Sequence, residues 1–159
     1  MKRLQKREVM IVVDATKNLL VNVLEYHPFL IKPNNYELGE IFGVTLSTKE
    51  DVILYAKKLQ EMGAANVLVS MAGDGAVLVA EDGSTYKSEA PEGKVKNSVG
   101  AGDSMVAGFL YGYLKSGIYE DAFYYGVCTG SASVSENLAT CREVEELLKK
   151  MKKQNMETK

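Results

Sequence analysis

The strongest constraint in this chain is an alternation of short aliphatic runs with segments of helical spacing. The run VMIVVD, Val9 to Asp14, is a continuous, largely β-branched stretch without polar interruption before its last residue. A strand of that kind is covered on both faces, as in a parallel sheet. PFLIK, Pro28 to Lys32, reads as a second buried strand that Pro33 stops, and ANVLVSMA as a third. Between them, ATKNLLVNVLEYH places Leu19, Val23 and Tyr26 at helical spacing, and a short helix is expected from about Asn34 to Gly43. STKEDVILYAKKLQEMG carries a Ser47–Glu50 capping-box pattern, a Val52, Ala56, Leu59 stripe and Gly63 as a C-terminal stop.

The second half continues with a hairpin in GDGAVLVAEDGSTYKSEAP, turning at Asp82-Gly83, and a linking stretch near EGKVK. A helix to about Lys115 and another from about Tyr119 to Glu136 follow. Thr140 with Glu143 forms a further capping box. It opens an amphipathic helix with Val144, Leu148 and Met151 on one face and Glu145–Lys149 and Glu146–Lys150 pairs on the other. Strands alternating with helices predict an α/β fold with a mainly parallel sheet. Three strands and a hairpin leave that sheet small, with an unprotected edge, so a part upstream is expected to be missing.

Composition narrows the function classes. A net charge of −2 over 159 residues gives no surface for nucleic acid or membrane. No apolar run approaches the roughly 20 residues that cross a bilayer, and the charged N-terminus lacks a signal-peptide core. A cytoplasmic protein is expected. Cys128 and Cys141 lie far apart without metal spacing and are expected to pack as small hydrophobes.

The chemistry concentrates in Gly100-Ala101-Gly102-Asp103, immediately before an apolar helix. Exposed N–H groups and the macrodipole make a helix start an anion site, and glycine lets a phosphate approach the backbone. Asp103 cannot hold the anion, since like charges repel, but it can take a proton from a hydroxyl that attacks a phosphate. On the residues alone a plain cap or first-turn role for Asp103 stands beside that reading. A Walker A loop is excluded, because no Gly-Lys-Ser/Thr follows, and the dinucleotide fingerprint fails for want of a glycine three residues after Gly102.

NSVGAGDSMVAGFLYG resembles the C-terminal signature of the PfkB (ribokinase-like) carbohydrate kinases. FLIKPNNYELGEIFG resembles the family's Lys-Pro-Asn-x-x-Glu-Leu segment, VLVSMAGDGAVL its strand and glycine loop, and SASVSENLAT its nucleotide-side end. These four stretches fall in the family's order from Val9 to Met151. The resemblance implies a single partial domain over residues 1–159. It would be the nucleotide-side, C-terminal half of a ribokinase-like three-layer α/β/α fold, with the N-terminal substrate and lid half absent. It implies ATP-dependent phosphoryl transfer to a sugar phosphate. The look is nearest to bacterial members that turn fructose 1-phosphate into fructose 1,6-bisphosphate. Tagatose-6-phosphate kinase, another sugar kinase of the family, or an inactive nucleotide-binding fragment are the alternatives, and the stretch by itself is expected to be inactive.

By the same resemblance Asp103 is the catalytic base, with the Gly100, Ala101 and Gly102 amides as its anion hole. Asn34 and Glu37 match the element that organises Mg²⁺ and the phosphates, although Asn34 followed by Glu37 is also a capping-box variant. Ser70, Gly73 and Gly75 match the loop that faces the ATP phosphates, while Asp74-Gly75 also suits a hairpin turn. Gly126, Gly130 and Ala132 suit close helix packing and the adenine border. Lys32 ends a strand where it could meet a phosphate. VVDATKNLL departs from the family's usual Asp-Thr-Ser-Gly run, so Asp14 is given no direct role, and His27 is read as a surface or packing residue. The expected partners are a sugar phosphate and ATP, with no nucleic acid or membrane, and with copies associating through the exposed sheet.

Overall fold

The computed structural model describes residues 3–4, 7, 9–91, 98–135 and 139–157. The expected link at 92–96 and positions 136–138 of SENLAT lie outside them. The chain divides into two units, Met1–Ser88 and Glu89–Lys159.

The first unit is a five-stranded sheet in the order β1-β2-β3-β4-β5. Its strands are β1 (Val12–Val13), β2 (Leu30–Ile31), β3 (Asn66–Ser70), β4 (Ala76–Val79) and β5 (Thr85–Ser88). The β1–β2 and β2–β3 pairs are parallel, and the β3–β4 and β4–β5 pairs antiparallel, so the sheet is mixed. Helices α1 (Lys17–Val21), α2 (Asn35–Phe42) and α3 (Lys49–Glu61) connect the parallel strands. Val67, Val69, Val77 and Val79 join Leu20, Leu24, Leu38, Val52, Ala56 and Leu59 in one core. Leu30, Leu68 and Leu78, at the alternate positions of the same strands, are fully buried as well. Burial at consecutive positions is what the aliphatic runs required.

The first strand is shorter than expected. Only Val12 and Val13 pair, while Val9 and Met10 are about half exposed at 50% and 48%. At the start of β3, buried Asn66 donates from Nδ2 to the Phe29 carbonyl (2.8 Å) and accepts the Glu81 N–H on Oδ1 (2.9 Å). Both halves of its amide are therefore satisfied, as a buried polar side chain requires.

Two local expectations are corrected. The apolar stripe of the first helix is Leu20 and Leu24, not Leu19, Val23 and Tyr26, and Leu19 is exposed. A 3₁₀ turn over Leu24–Tyr26 follows α1, so the expected helix does not run on to Tyr26. Helix α3 is capped by Thr48 with Asp51, one residue later than the Ser47–Glu50 pattern. Glu50 instead takes the Lys87 ammonium of β5 at 2.8 Å, which leaves Asp51 to close the box. The Val52, Ala56, Leu59 stripe is fully buried as expected.

The described residues of the second unit form α4 (Ala101–Ser116), α5 (Tyr119–Ser135) and α6 (Cys141–Glu157). Helices α4 and α5 meet through glycines. A Cβ on Gly108 would stand 2.5 Å from the Tyr125 carbonyl oxygen, and one on Gly130 would stand 3.2 Å from that of Ala101. Helix α6 opens on the Thr140–Glu143 box, with Thr140 N–H on Glu143 Oε2 at 2.9 Å and Glu143 N–H on Thr140 Oγ1 at 3.3 Å. Val144, Leu148 and Met151 are its buried face. On its outer face Glu146 pairs with Arg142 at 3.0 Å.

Cys128 is buried against Met151, sulfur to sulfur at 3.3 Å, and burial pushes its thiol up to about 12. Cys141 does not pack. As the first residue of α6 it faces solvent. In the native protein at pH 8 an aromatic disulfide reagent is expected to titrate Cys141 quickly and Cys128 only after denaturant is added. Gly108→Ala is expected to lower stability by about 1–3 kcal/mol through overpacking, read as a lower urea midpoint at unchanged slope.

Candidate functional site

In the first unit the candidate residues gather at the carboxyl ends of β2 and β3. Pro33 has no N–H to continue the β2 ladder. Its carbonyl accepts the Ser70 N–H at 3.2 Å, which sets Asn34 and Ser70 side by side in a parallel bridge. Helix α2 starts at that point. Asn34 Oδ1 accepts the Glu37 N–H at 2.8 Å, and Glu37 Oε2 accepts the Asn34 N–H at 2.9 Å. The capping reading of Asn34 and Glu37 is thus realised in full. Among the described residues Asn34 Nδ2 and Glu37 Oε1 remain uncommitted.

That residual donor set bears on magnesium. No group of three or more His, Cys, Asp and Glu side chains among the described residues would hold a metal by itself. One free carboxylate oxygen fits an ion that keeps most of its ligands as water and phosphate.

Past Ser70 the chain turns through a 3₁₀ segment, Ala72–Asp74, into β4. Met71 N–H donates to the Gly75 carbonyl (2.8 Å) and Gly75 N–H to that of Ala72 (3.2 Å). Asp74-Gly75 therefore does lie in the connection of an antiparallel pair. Gly75 needs its missing side chain, at φ 90° and ψ −132°. Gly73 is exposed with open space where a Cβ would stand, so its backbone can be approached from outside. Ala72 sits at φ 49°, left-handed without being glycine, a strained conformation of the sort stored at functional loops. Nothing in the sequence marked it.

Beside them, buried Lys32 directly follows β2 and its Nζ stands 3.4 Å from Asp14 Oδ2, just past β1. His27 is exposed and places Nδ1 3.2 Å from the Gly63 carbonyl, a packing role as expected.

In the second unit Gly100 is the N-cap of α4 at φ 79° and ψ 0°, with no side-chain cap. Its carbonyl accepts the Ser104 N–H at 2.9 Å. The Ala101 N–H is turned to the Ser98 carbonyl at 3.3 Å, so that amide already has a partner. Gly102 and Asp103 occupy the next positions, where a helix leaves its N–H groups outside the ladder. Asp103 is the third residue of the helix and is exposed, so it is a first-turn residue rather than the cap. Gly130 of α5, against the Ala101 carbonyl, brings a second helix close behind this start.

A family model described as pfkB family carbohydrate kinase matches residues 1–145. A 1-phosphofructokinase of Bacillus subtilis is 46% identical over 149 residues, which are 93% of this chain and 49% of that protein. The structure of phosphofructokinase-2 from Escherichia coli in complex with fructose-6-phosphate superposes with a TM-score of 0.83 at 27% identity, covering 92% of this chain and 48% of that one. Ribokinase of Arabidopsis thaliana, complexed with ribose and ATP, shares the fold with a TM-score of 0.80 at 22% identity, over 93% and 50% of the two chains. The chain spans about half the length of the curated relatives it matches.

The cap and the free carboxylate oxygen can be separated by mutation. Asn34→Ala is expected to cost about 1 kcal/mol in urea denaturation, because the box loses its acceptor. Glu37→Gln keeps an acceptor at the position where glutamine also suits the box, and is expected to leave the melting temperature within a degree or two.

Proposed function

The chain belongs to the pfkB family of carbohydrate kinases, and we propose that it supplies the phosphoryl-transfer half of an enzyme that phosphorylates fructose 1-phosphate with ATP. The similarity to the Bacillus subtilis 1-phosphofructokinase carries this reading. ATP with Mg²⁺ supplies the γ-phosphoryl group and most of the charge neutralisation that its loose transition state needs.

The chain's own residues provide position and a proton acceptor. Asp103, exposed in the first turn of α4, takes the proton of the sugar hydroxyl as it attacks. The helix start at Gly100 and Gly102 faces the negative charge that gathers on the phosphoryl oxygens, with the helix dipole behind it, while the Ala101 N–H is held by the Ser98 carbonyl and stays out of that role. The left-handed Gly100 lets the chain enter the helix without a side-chain cap lying over those amides. Glu37 holds the hydrated magnesium through its uncommitted Oε1, Asn34 donates from Nδ2 to a phosphate oxygen, and Ser70, Gly73 and Gly75 border the nucleotide phosphates. In this reading the enzyme works in the cytoplasm. Among the described residues no helix is long and apolar enough to cross a membrane.

The complete enzyme is expected to favour fructose 1-phosphate over fructose 6-phosphate and tagatose 6-phosphate in kcat/KM, and another order of preference would reassign the substrate. Asp103→Asn in the complete enzyme is expected to reduce kcat by at least a hundredfold, the scale of general-base catalysis, with the KM for ATP little changed. A loss smaller than about tenfold, roughly 1.4 kcal/mol of barrier, would remove Asp103 from the role of base.

A further inference from the structure

We propose that the amino edge of the sheet carries a second small-molecule site, which takes a carboxylate with an apolar body and anchors it on Arg7. It lies at the opposite end of the parallel strands from the residues assigned to the phosphates, and it does not depend on that assignment.

The run VMIVVD has the composition of a strand buried throughout, yet only Val12 and Val13 join the ladder. Val9 and Met10 stay outside it, and with Ile11 and Phe29 they line a cavity of about 580 Å³. Sites for small molecules span about 300–1,000 Å³. Ile11, Phe29 and Ala65 directly precede β1, β2 and β3, so the cavity sits on the amino edge of the parallel strands. The Phe29 N–H donates to the Ile11 carbonyl at 2.8 Å and the Ala65 N–H to that of Pro28 at 2.9 Å. Those donors are spent, and what the floor offers an occupant is apolar surface. Leu4 lines the same cavity and is as exposed as Val9 and Met10. Large apolar side chains left open around one concavity mark a binding surface, whereas single ones scattered over a protein do not.

Arg7 decides the chemistry of the occupant. Its N–H donates to the Leu4 carbonyl and its own carbonyl accepts the Val9 N–H, both at 2.9 Å, so the backbone is held on either side while the side chain lines the cavity. Among the described residues no hydrogen bond or ion pair engages the guanidinium. A guanidinium presents its donors as a planar fork that meets a carboxylate through two parallel bonds. Apolar walls lower the local dielectric, which makes such a contact stronger than it is on open surface. Glu81 lines the same cavity and limits the charge that enters. A monoanion meets Arg7 and little repulsion, whereas a phosphate dianion brings a second charge against the Glu81 carboxylate. One carboxylate on Arg7 with a hydrocarbon body over Met10, Ile11 and Phe29 therefore uses both the charge and the apolar floor.

The test uses this chain, titrated calorimetrically with 4-phenylbutyrate and, in parallel, with 4-phenylbutanol and 4-phenylbutyl phosphate. The wild type is expected to bind the acid with a submillimolar Kd, and the alcohol and the phosphate ester at least tenfold more weakly. Arg7→Gln is expected to bring the acid down to the affinity of the alcohol, to change that of the alcohol less than twofold, and to leave the urea midpoint unchanged. Met10→Trp fills the cavity from a half-exposed position and is expected to remove binding of all three compounds. Should Met10→Trp fail to fold, Arg7→Gln decides alone. Equal affinity of the wild type for acid and alcohol, or acid binding that survives Arg7→Gln, overturns the inference, as does a wild-type chain that leaves the acid unbound at millimolar concentration. Sedimentation that shows copies associating in the wild type and separating in Met10→Trp gives the cavity to a second copy and overturns it too. ADP with Mg²⁺ is the control: its titration is expected to be alike in all three proteins, so loss of ADP binding in the wild type counts against the kinase reading and loss of acid binding only against this site.

Discussion

The parallel pairing of β2 with β3 fixes most of the first unit. Leu30 and Ile31 stand opposite Asn66 and Val67, and all four are fully buried. Backbone groups so deep have no water to turn to, and an unpaired one would cost about 1–3 kcal/mol, so the register has little freedom to slip. Asn66 secures it from the side, by joining the Phe29 carbonyl on one strand to the Glu81 N–H beyond β4. At the other end Pro33 closes the ladder, and from that point the Asn34–Ser70 bridge and the start of α2 follow. The site residues are where they are because a sheet buried on both faces has to end somewhere, and a proline chose the place.

The parts of the fold that were legible in sequence are those set by periodicity over several turns. The stripe of Val52, Ala56 and Leu59, the face of Val144, Leu148 and Met151, and the Asp82-Gly83 hairpin all follow from spacing and turn chemistry. What failed was set by contacts distant in sequence. Ser47–Glu50 and Thr48–Asp51 have the same spacing, and the choice fell to the second because Lys87, far along the chain, draws Glu50 away. Leu19 and Leu20 are equally apolar, and it is Leu20, packed with Leu24 in the core, that is buried while Leu19 faces solvent. Cys141 and Cys128 are likewise alike in sequence. One begins a helix in solvent, and the other lies under Met151.

The candidate site was legible to a different degree in each unit. Gly100 is legible as one of two glycines bracketing a turn before an apolar helix, and the structure adds the reason, a positive φ of 79° at the helix start; Asp103, three residues later, is legible by its charge. Asn34 and Glu37 stood out through spacing that serves a cap and a phosphate site alike. The Asp14–Lys32 pair was not visible, since strand register alone brings together two residues 18 positions apart. Ala72 was invisible for the opposite reason: nothing about alanine announces a left-handed φ.

Capping and ligand binding do not compete for the same atoms of Asn34 and Glu37. The box commits one side-chain oxygen of each residue to a backbone N–H, and by doing so it fixes both side chains at the helix start. Fixing them removes rotamer freedom that a bound ion would otherwise have to restrict, so the cap lowers the entropic cost of the second role. The uncommitted Glu37 Oε1 then stands at the first turn of α2, where the N–H groups carry partial positive charge and phosphate oxygens are welcome. The same four-residue pattern that stabilises the helix is compatible with the proposed site, and this is why spacing by itself could not assign it to one of the two.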